Sequence, residues 1–246
     1  MSTPITFYDL RVSAGVPASP NAWKTRYTLN YKGIPYKTTF VNFVDIKPTL
    51  QEAGIPPSEG EAYTVPAIID HKTGQKLSES ARIAGYLDAA YPETPAVFPA
   101  STREAQITFM KTIGAPLLYA AFPIILLDTF NGLDEKDKEY WRRTREARFG
   151  APLEAIVPKG ERLTAALAAV GATLDNAAKE IAKHAGEGAL FFGGDAPSFA
   201  DITLAAAFKA IITGTGREGD VSKVILGHEW ASKFFEAFEK WASIEA

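Results

Sequence analysis

The sequence predicts an α/β plus all-α fold, and three observations carry this prediction. Residues 1–91 alternate short β-branched or aromatic segments with segments of helical periodicity. A proline-rich stretch, 92–99, follows them. Beyond it the strand signals disappear and long helical periodicities continue to the end of the chain. We therefore expect an α/β domain at 1–91, a linker at 92–99 and an all-helical domain at 100–246.

The α/β part divides into four strands and three helices. Ile5–Tyr8 alternates aromatic and β-branched residues and is predicted to be the first strand. Ser19 and Pro20 then start a helix, because serine is a preferred N-cap and proline fits the first helical position. Gly33 ends that helix. The later segments are strands at Tyr36–Val41, Val65–Asp70 and Gln75–Ser78, a short helix near Pro48–Glu52, and a helix at Glu79–Tyr91.

The second part is predicted to be helical throughout. Thr102–Phe130 has an apolar face, and we expect a kink at Pro116 or Pro123 because an internal proline removes a helical hydrogen bond. Ser198–Ile212 is nearly all apolar, which predicts a helix buried on every side. Further amphipathic helices are expected at Asp134–Ile156, Leu163–Ile181 and Glu229–Ala242.

Charge and cysteine content exclude several classes of protein. Lys and Arg number 26 against 29 Asp and Glu, so the chain lacks the basic excess typical of nucleic-acid binding. The absence of cysteine excludes disulfides, zinc thiolates, iron–sulfur clusters and a cysteine nucleophile. The three histidines are far apart and have no metal-ligand spacing. We expect no metal and no nucleic-acid partner.

No membrane or export signal is recognisable in the sequence. The first residues lack a basic start followed by an apolar stretch. The longest uncharged apolar run, Thr112–Leu127, contains two prolines and is shorter than the roughly 20 residues that a spanning helix needs. These features lead us to expect a cytoplasmic protein with no membrane partner.

The dipeptide Val65-Pro66 is the first motif that bears on function. Proline cannot donate to a β-ladder and belongs at the start or edge of a strand. A cis bond would leave the Val65 N–H and C=O free to pair with a bound peptide in the manner of an added strand. A trans bond would make this an ordinary strand entry, and the dipeptide alone leaves both possibilities open.

Two further motifs lie at helix starts. Glu79 offers a carboxylate for an ammonium group, while Ser80 and free helix N–H groups can bind a carboxylate, so the pair suits an amino-acid zwitterion. The structural alternative is that Ser78 caps the helix and Glu79 stabilises its first turn. Ser198 and Asp201 match a capping box, with Asp in place of the usual Glu, at the start of the buried helix.

In their order and spacing, Val65-Pro66, Glu79-Ser80 and Ser198-Phe199-Ala200-Asp201 resemble motifs of the cytosolic glutathione transferases. The resemblance covers nearly the whole chain. It implies a thioredoxin-like first domain that takes glutathione as co-substrate, a helical second domain, and a homodimer. Ser19–Leu29 with Lys32-Gly33 is also similar to the first helix of the bacterial lignin β-etherases and the fungal FuA class.

The resemblance implies that the group activating the glutathione sulfur lies at the end of the first strand or the start of the first helix. Ser19 is our preferred donor, with Asn21 as second donor or substitute, because both lie at the helix N-terminus. A plain N-cap is the structural alternative for Ser19, and the side-chain direction of Tyr8 in the strand is open.

The remaining glutathione contacts also follow from the resemblance. The Val65 backbone would pair with the cysteinyl unit, and Glu79 and Ser80 would hold the γ-glutamyl end. Lys47 is placed near the glycyl carboxylate from its position after the second strand. Trp23 either flanks the sulfur or packs in the core. The predicted glutathione-binding residues are Trp23, Lys47, Thr64, Val65, Pro66, Glu79 and Ser80.

The missing cysteine restricts the reaction. Relatives with a cysteine form a mixed disulfide with glutathione, and this chain cannot. We therefore expect the glutathione thiolate to attack an electrophilic carbon, an ether or a peroxide, with hydrophobic aromatic molecules as acceptors. The predicted acceptor pocket is formed by Tyr119, Phe122, Pro123 and Ile124, and ordinary helix packing is the alternative for each.

Two other functions stay open. The chain could be a ligandin-type carrier of aromatic metabolites, or a non-catalytic interaction module that kept the fold. The basic stretch Arg142, Arg143, Arg145 and Arg148 is interpreted as a solvated helix face.

Overall fold

The computed structural model describes residues 4–12, 16–17, 19–58 and 60–244. Its first part is a four-stranded mixed sheet with the strand order β2-β1-β3-β4. The first two strands are parallel, and the third is antiparallel to the first and the fourth. The elements are β1 (Ile5–Leu10), α1 (Pro20–Lys32), β2 (Tyr36–Val41), a 3₁₀ turn (Phe43–Asp45), α2 (Ile46–Glu52), β3 (Ala67–Asp70), β4 (Lys76–Ser78) and α3 (Ser80–Ala90).

The sheet is covered on both faces. Successive residues of a strand point to opposite faces, and β1 shows this at Phe7 and Tyr8. Phe7 packs with residues of α1 and α3, including Leu29 and Leu87. Tyr8 packs on the other face, with Leu50 of α2. The sequence-predicted α/β domain is therefore a three-layer unit of thioredoxin-like type.

The second part is helical, as predicted, and no helix in the described ranges is both long and apolar enough to cross a bilayer. The elements are α4 (Arg103–Phe109), a π-helical turn (Met110–Gly114), α5 (Ala115–Ala121), α6 (Leu126–Asn131), α7 (Glu135–Phe149), α8 (Leu153–Ile156), α9 (Glu161–Ala185), α10 (Phe199–Thr215), α11 (Asp220–Gly227), α12 (Glu229–Phe238) and a 3₁₀ turn (Glu239–Trp241).

Prolines and glycines explain where the predicted helices divide. Pro116 has no N–H for the carbonyl four residues before it, and the chain widens into the π-helical turn just ahead of this position. The helix stops at Ala121, and α6 begins beyond Pro123. Gly150, with a φ of 69°, ends α7, so the predicted helix at 134–156 is two helices.

The structure differs from the prediction at the start of one strand and of one helix, and it contains one helix that the sequence did not predict. The third strand begins at Ala67, not Val65, because Pro66 has no N–H for the ladder and pairing starts opposite Tyr8. The third main helix begins at Ser80, one residue later than predicted. Helix α11 was not predicted, since its eight residues are too few for a clear periodicity.

The two parts of the chain meet along α1 and α10. Trp23 and Tyr27 of α1 belong to the same buried cluster as Phe208 of α10. The end of the chain returns to α1, where Nη1 of Arg26 donates to the Ile244 carbonyl at 2.7 Å. The first helix of the sheet domain therefore forms much of the boundary with the helical domain.

The predicted capping box of the buried helix α10 is present. The Asp201 carboxylate accepts hydrogen bonds from the Ser198 N–H and hydroxyl, and from the Phe192 and Gly193 N–H groups. It is fully buried, and burial raises its pKa. One side chain thus fixes both the helix start and the loop before it.

Asp201→Ala should lower the free energy of unfolding by about 3 kcal/mol, because three N–H groups, two of them buried, lose their acceptor. Chemical denaturation measures this loss. Asp201→Asn is the matched control and should lose less, since its amide keeps one accepting oxygen. Equal losses in the two variants would contradict the prediction, because they would show that one accepting oxygen at this position recovers none of the lost stability.

Candidate active site

The register of the sheet gathers the predicted site at one edge. Tyr8 of β1 pairs with Ala67 of β3, and Ala67 pairs with Ser78 of β4. The loop to α1, the Val65-Pro66 entry to β3 and the turn into α3 all adjoin this row of residues. The three motifs, which lie between positions 19 and 80 of the sequence, are therefore brought to the same end of the sheet.

Ser19 is the N-cap of α1, as predicted. Its Oγ accepts a hydrogen bond from the Ala22 N–H at 3.3 Å. A hydroxyl can accept and also donate, and among the described residues nothing accepts the Ser19 proton. The cap therefore leaves an O–H donor at the positive end of the α1 dipole.

Asn21 follows on the first turn of α1 and is exposed. Its Oδ1 accepts from Nζ of Lys24 at 3.0 Å. Because the carbonyl oxygen of the amide is occupied, the Nδ2 donors are the atoms left to a ligand. Both predicted sulfur donors thus have a hydrogen-bond donor that no described residue occupies.

Lys24 is the residue of this site that sequence reasoning missed. It is half-buried one turn after Asn21, and burial lowers the pKa of its ammonium while the charge of Glu79 partly restores it. The i, i+3 spacing from Asn21 to Lys24 places the two on one helix face, and this signal in the sequence could have identified it. Lys24 therefore contacts Asn21 directly and interacts electrostatically with Glu79.

The Val65–Pro66 peptide bond is cis. Within the part of the chain that the structure describes, the Val65 N–H and C=O have no hydrogen-bond partner. The Thr64 hydroxyl is bonded to that of Ser58 at 2.7 Å, which fixes the loop just before Val65. A backbone N–H and C=O that lack an internal partner are what an added peptide strand requires.

Glu79 has a φ of 73° and a ψ of 112°, which is unusual for a residue with a side chain. Such strain is concentrated at functional sites. Glu79, not Ser78, occupies the N-cap position of α3, and it makes no side-chain cap bond. Ser78 is paired in β4 instead, so the alternative that Ser78 caps the helix is wrong, while the stabilisation of the first turn by Glu79 stays a prediction.

The start of α3 consequently has uncapped N–H groups beside the Ser80 hydroxyl and the exposed Glu79 carboxylate. N–H groups and a hydroxyl bind a carboxylate, and a carboxylate binds an ammonium group. The turn therefore has the donor and acceptor set for an amino-acid zwitterion.

Three other candidates lie in different surroundings. Trp23 is 1% exposed, its indole N–H donates to the Pro17 carbonyl at 2.9 Å, and its ring is 5.1 Å from that of Tyr27. This is the core-packing alternative of the sequence analysis. Tyr8 is buried between the sheet and α2, and burial raises its pKa. Lys47 is exposed on α2.

The four candidate acceptor residues separate into different environments. Tyr119 is 69% exposed on α5, whereas Ile124 is buried in the large core. Phe122 stacks on Phe149 with ring centroids 6.0 Å apart. Pro123 lines an open groove of about 550 Å³ that Phe149 also lines. The structure thus brings Phe122 and Pro123 together and leaves Tyr119 and Ile124 apart from them.

The Phe122 region contacts the loop that carries Ser19. Phe122 and Val16 both pack against the buried cluster that contains Val12 and Trp141. Val12 and Val16 belong to the segment between β1 and Ser19. An apolar surface of the helical domain therefore lies beside the loop leading to the candidate donor.

Comparisons with known proteins agree with this architecture. A family model described as the glutathione S-transferase N-terminal domain matches residues 14–95. A second, described as the glutathione S-transferase C-terminal domain, matches residues 105–241, more than half of the chain. The glutathione S-transferase-like protein ustS of Aspergillus flavus is 34% identical over 227 residues, which are 82% of this chain and 78% of that protein.

Solved structures extend the likeness over the full length. The glutathione S-transferase CsGST63524 of Ceriporiopsis subvermispora, solved in complex with glutathione, has 36% identity and a TM-score of 0.91 over 98% of each chain. The transferase GSTFuA3 of Phanerochaete chrysosporium has 30% identity and a TM-score of 0.90 over 99% of each. The chain belongs to the glutathione S-transferase family, and the resemblance to its fungal FuA class is confirmed.

Proposed function

We propose that this chain is a serine-type glutathione transferase that ionises the glutathione thiol and directs it at hydrophobic aromatic electrophiles. The observation that carries the proposal is the Ser19 hydroxyl, which caps α1 through its oxygen and whose proton has no acceptor among the described residues. The absence of cysteine supports a hydroxyl-dependent mechanism over a mixed disulfide.

Thiol activation needs a modest amount of free energy. A free thiol with a pKa of about 8.5 is only a few per cent thiolate at pH 7. Lowering that pKa by two units requires about 2.7 kcal/mol. A hydrogen bond to an anion contributes about 1.5–3 kcal/mol, and the helix N-terminus adds to it. Ser19, with the Asn21 amide beside it, is sufficient for this.

Glutathione is oriented by the unpaired Val65 backbone and by the start of α3. Its cysteinyl backbone pairs with Val65, and its γ-glutamyl end meets the α3 start, where Ser80 and the N–H groups take the carboxylate and Glu79 takes the ammonium. Lys47 remains our candidate for the glycyl carboxylate. This places the sulfur toward Ser19, so that binding and activation use one geometry.

The acceptor is an aromatic electrophile held near Phe122 and Pro123. The apolar surface there adjoins the loop before Ser19, and aromatic rings favour aromatic walls. Thiolate attack on an aryl halide, an aryl ether or a hydroperoxide needs no protein cysteine. The resemblance to bacterial β-etherases and the expected homodimer remain predictions.

Ultraviolet titration of the bound thiolate tests the proposal. We expect the bound glutathione thiol to titrate about two pH units below the free thiol. Turnover is then measured with an aryl halide, an aryl ether and a hydroperoxide. A bound thiol that titrates like free glutathione, or tight aromatic binding without turnover of any probe, would contradict the transferase and favour the ligandin-type carrier.

Lys24→Met should weaken glutathione binding about tenfold, since it removes a cation next to Asn21 and Glu79. Calorimetry on the unreactive analogue S-methylglutathione measures this change. Lys37→Met is the matched control, because Lys37 is exposed on β2 and has no ion pair among the described residues. Equal affinities for the two variants would remove Lys24 from the site.

A further inference from the structure

Arg145 of α7 is a half-buried cation that packs against two aromatic rings. Its guanidinium carbon is 4.8 Å from the Trp141 ring centroid and 5.4 Å from that of Phe43. Stacking on ring faces fixes the plane of a guanidinium and leaves its edge for hydrogen bonds. The side chain is thus held in one orientation, not spread over a solvated helix face.

This cation has no anionic partner among the described residues. Its hydrogen bond goes to the Thr144 hydroxyl at 2.9 Å. Arg142, on the same helix, is paired with Glu146 and Glu154. Burial and the like charge of Arg148 lower the pKa of Arg145, and no carboxylate is among the groups that act on it. Desolvated arginines are ordinarily paired, so this one has an unused binding capacity.

The position of Arg145 is fixed where α7 of the helical domain packs on the segment after β2. The start of α7 is anchored by buried Asp137, whose carboxylate accepts from the Asn42 amide at 3.0 Å and the Val44 N–H at 3.1 Å. Lys136 also pairs with Asp45. These contacts hold α7 against the 42–45 segment, which leads directly into α2. Arg145 therefore faces the sheet domain next to the segment that carries Lys47.

The aromatic surroundings continue toward the candidate acceptor region. Trp141 lies 6.4 Å from Phe122, and Phe122 stacks on Phe149 at 6.0 Å, as ring-centroid distances. Arg148 lies over Phe149 at 5.8 Å. An aromatic ring placed along this surface would bring a substituent within reach of one of these cations.

We infer that Arg145 is a carboxylate-binding site at the boundary between α7 and the sheet domain. A planar guanidinium binds a carboxylate through two parallel hydrogen bonds, and the ring stacking orients it for this. The carboxylate belongs to an acidic aromatic acceptor, next to Phe122, or to the glycyl end of glutathione, next to Lys47. The inference rests on the proposed function for the identity of the ligand, but not for the site itself.

The first arm of the test concerns the acceptor. Calorimetry compares 4-chloro-3-nitrobenzoate with 4-chloro-3-nitrobenzamide, its neutral counterpart, with and without saturating S-methylglutathione to prevent turnover. If the acceptor is the source, Arg145→Gln weakens the benzoate about tenfold and leaves the benzamide unchanged.

The second arm concerns glutathione. It compares glutathione with its glycyl ethyl ester, in which the glycyl carboxylate is masked. If glutathione is the source, Arg145→Gln weakens glutathione about tenfold and leaves the ester unchanged. Arg145→Lys keeps the charge and the packed stem but not the planar fork, and should show a smaller loss for the same pair.

Arg143→Gln is the control, because Arg143 is an exposed arginine of the same helix with no ion pair in the described part of the chain. Melting temperatures separate lost binding from lost folding, and Arg145→Lys carries the test if Arg145→Gln does not fold. The inference is overturned if neither variant discriminates within either pair. A chain that binds neither glutathione nor its ester contradicts the proposed function, while the benzoate pair still tests Arg145.

Discussion

Ser19→Ala is expected to raise the pKa of bound glutathione by about 1–2 units and to lower the thiolate fraction, and with it kcat/KM, at pH 7 by about 3- to 25-fold. The reason is that the hydroxyl proton has no acceptor in the described structure and lies at the start of α1. A hydrogen bond to an anion contributes about 1.5–3 kcal/mol, which corresponds to that change in pKa. The thiolate absorbance of bound glutathione against pH measures the shift directly.

Ser19→Asp separates this role from helix capping. Ser19 accepts from the Ala22 N–H, and aspartate caps a helix as well as serine does, whereas alanine costs about 1 kcal/mol. An ionised aspartate cannot donate to a thiolate. The Asp variant should therefore keep the stability of the parent protein and lose the thiolate.

If the Asp and Ala variants both retain the low thiol pKa, Ser19 is a structural cap only. Asn21→Ala would then be examined in the same titration, since the Asn21 amide also has free donors. Loss of the thiolate in that variant alone would transfer the activating role to Asn21.

Arg26→Met is expected to lower the free energy of unfolding by about 3–5 kcal/mol, the usual effect of removing one partner of a buried ion pair. Arg26 and Asp9 have fully buried side chains with 2.7 Å between Nη2 and Oδ2. Arg26 also holds the Tyr36 hydroxyl and the Ile244 carbonyl. Chemical denaturation at pH 8 measures the loss.

The loss should depend on pH. Burial raises the pKa of Asp9 from 3.8 to about 6, although Arg26 and the Leu10 N–H lower it. Because this folded pKa exceeds the unfolded one, the stability contributed by protonated Asp9 is present below about pH 4 and is lost as the pH rises through about 6. Without Arg26 the folded pKa rises further, so the variant should recover part of its stability at pH 5.

Two further variants serve as controls for this prediction. Arg217→Met removes an exposed arginine and should change stability by less than about 0.5 kcal/mol. Asp9→Asn in the Arg26→Met background removes the isolated carboxylate and should abolish the pH dependence. A pH-independent loss in the single variant would mean that the contacts to Tyr36 and Ile244, not the charge, stabilise this region.

Much of the fold could be predicted because it follows from local rules. Ser19, Pro20 and Gly33 are start and stop signals that act over a few residues, and α1 begins and ends beside them. The apolar run after Ser198 forms a helix buried on nearly every side. The errors arose where backbone chemistry outweighed periodicity, as at Pro66 and Gly150.

The site was predicted only as separate motifs. The sequence could not show that Ser78 pairs in a strand while Glu79 takes a positive φ at the start of α3. It could not show the contact of Arg145 with Phe43 either, because the two residues are about a hundred positions apart in the chain. Partners at such distances depend on how the helices pack.

The sequence by itself determined the class of fold, the position of the capping residues and the exclusion of cysteine chemistry, since each of these depends on residue type and short-range spacing. Within the part of the chain that the structure describes, the tertiary structure decided which polar groups keep binding capacity: the Ser19 proton, the Val65 backbone and the α3 start are left without a partner, and the Arg145 guanidinium is left without an anionic one. The physical reason is that a group is free to bind a ligand only if no distant part of the chain satisfies it, and the pairing of β1, β3 and β4 and the packing of α7 settle that question.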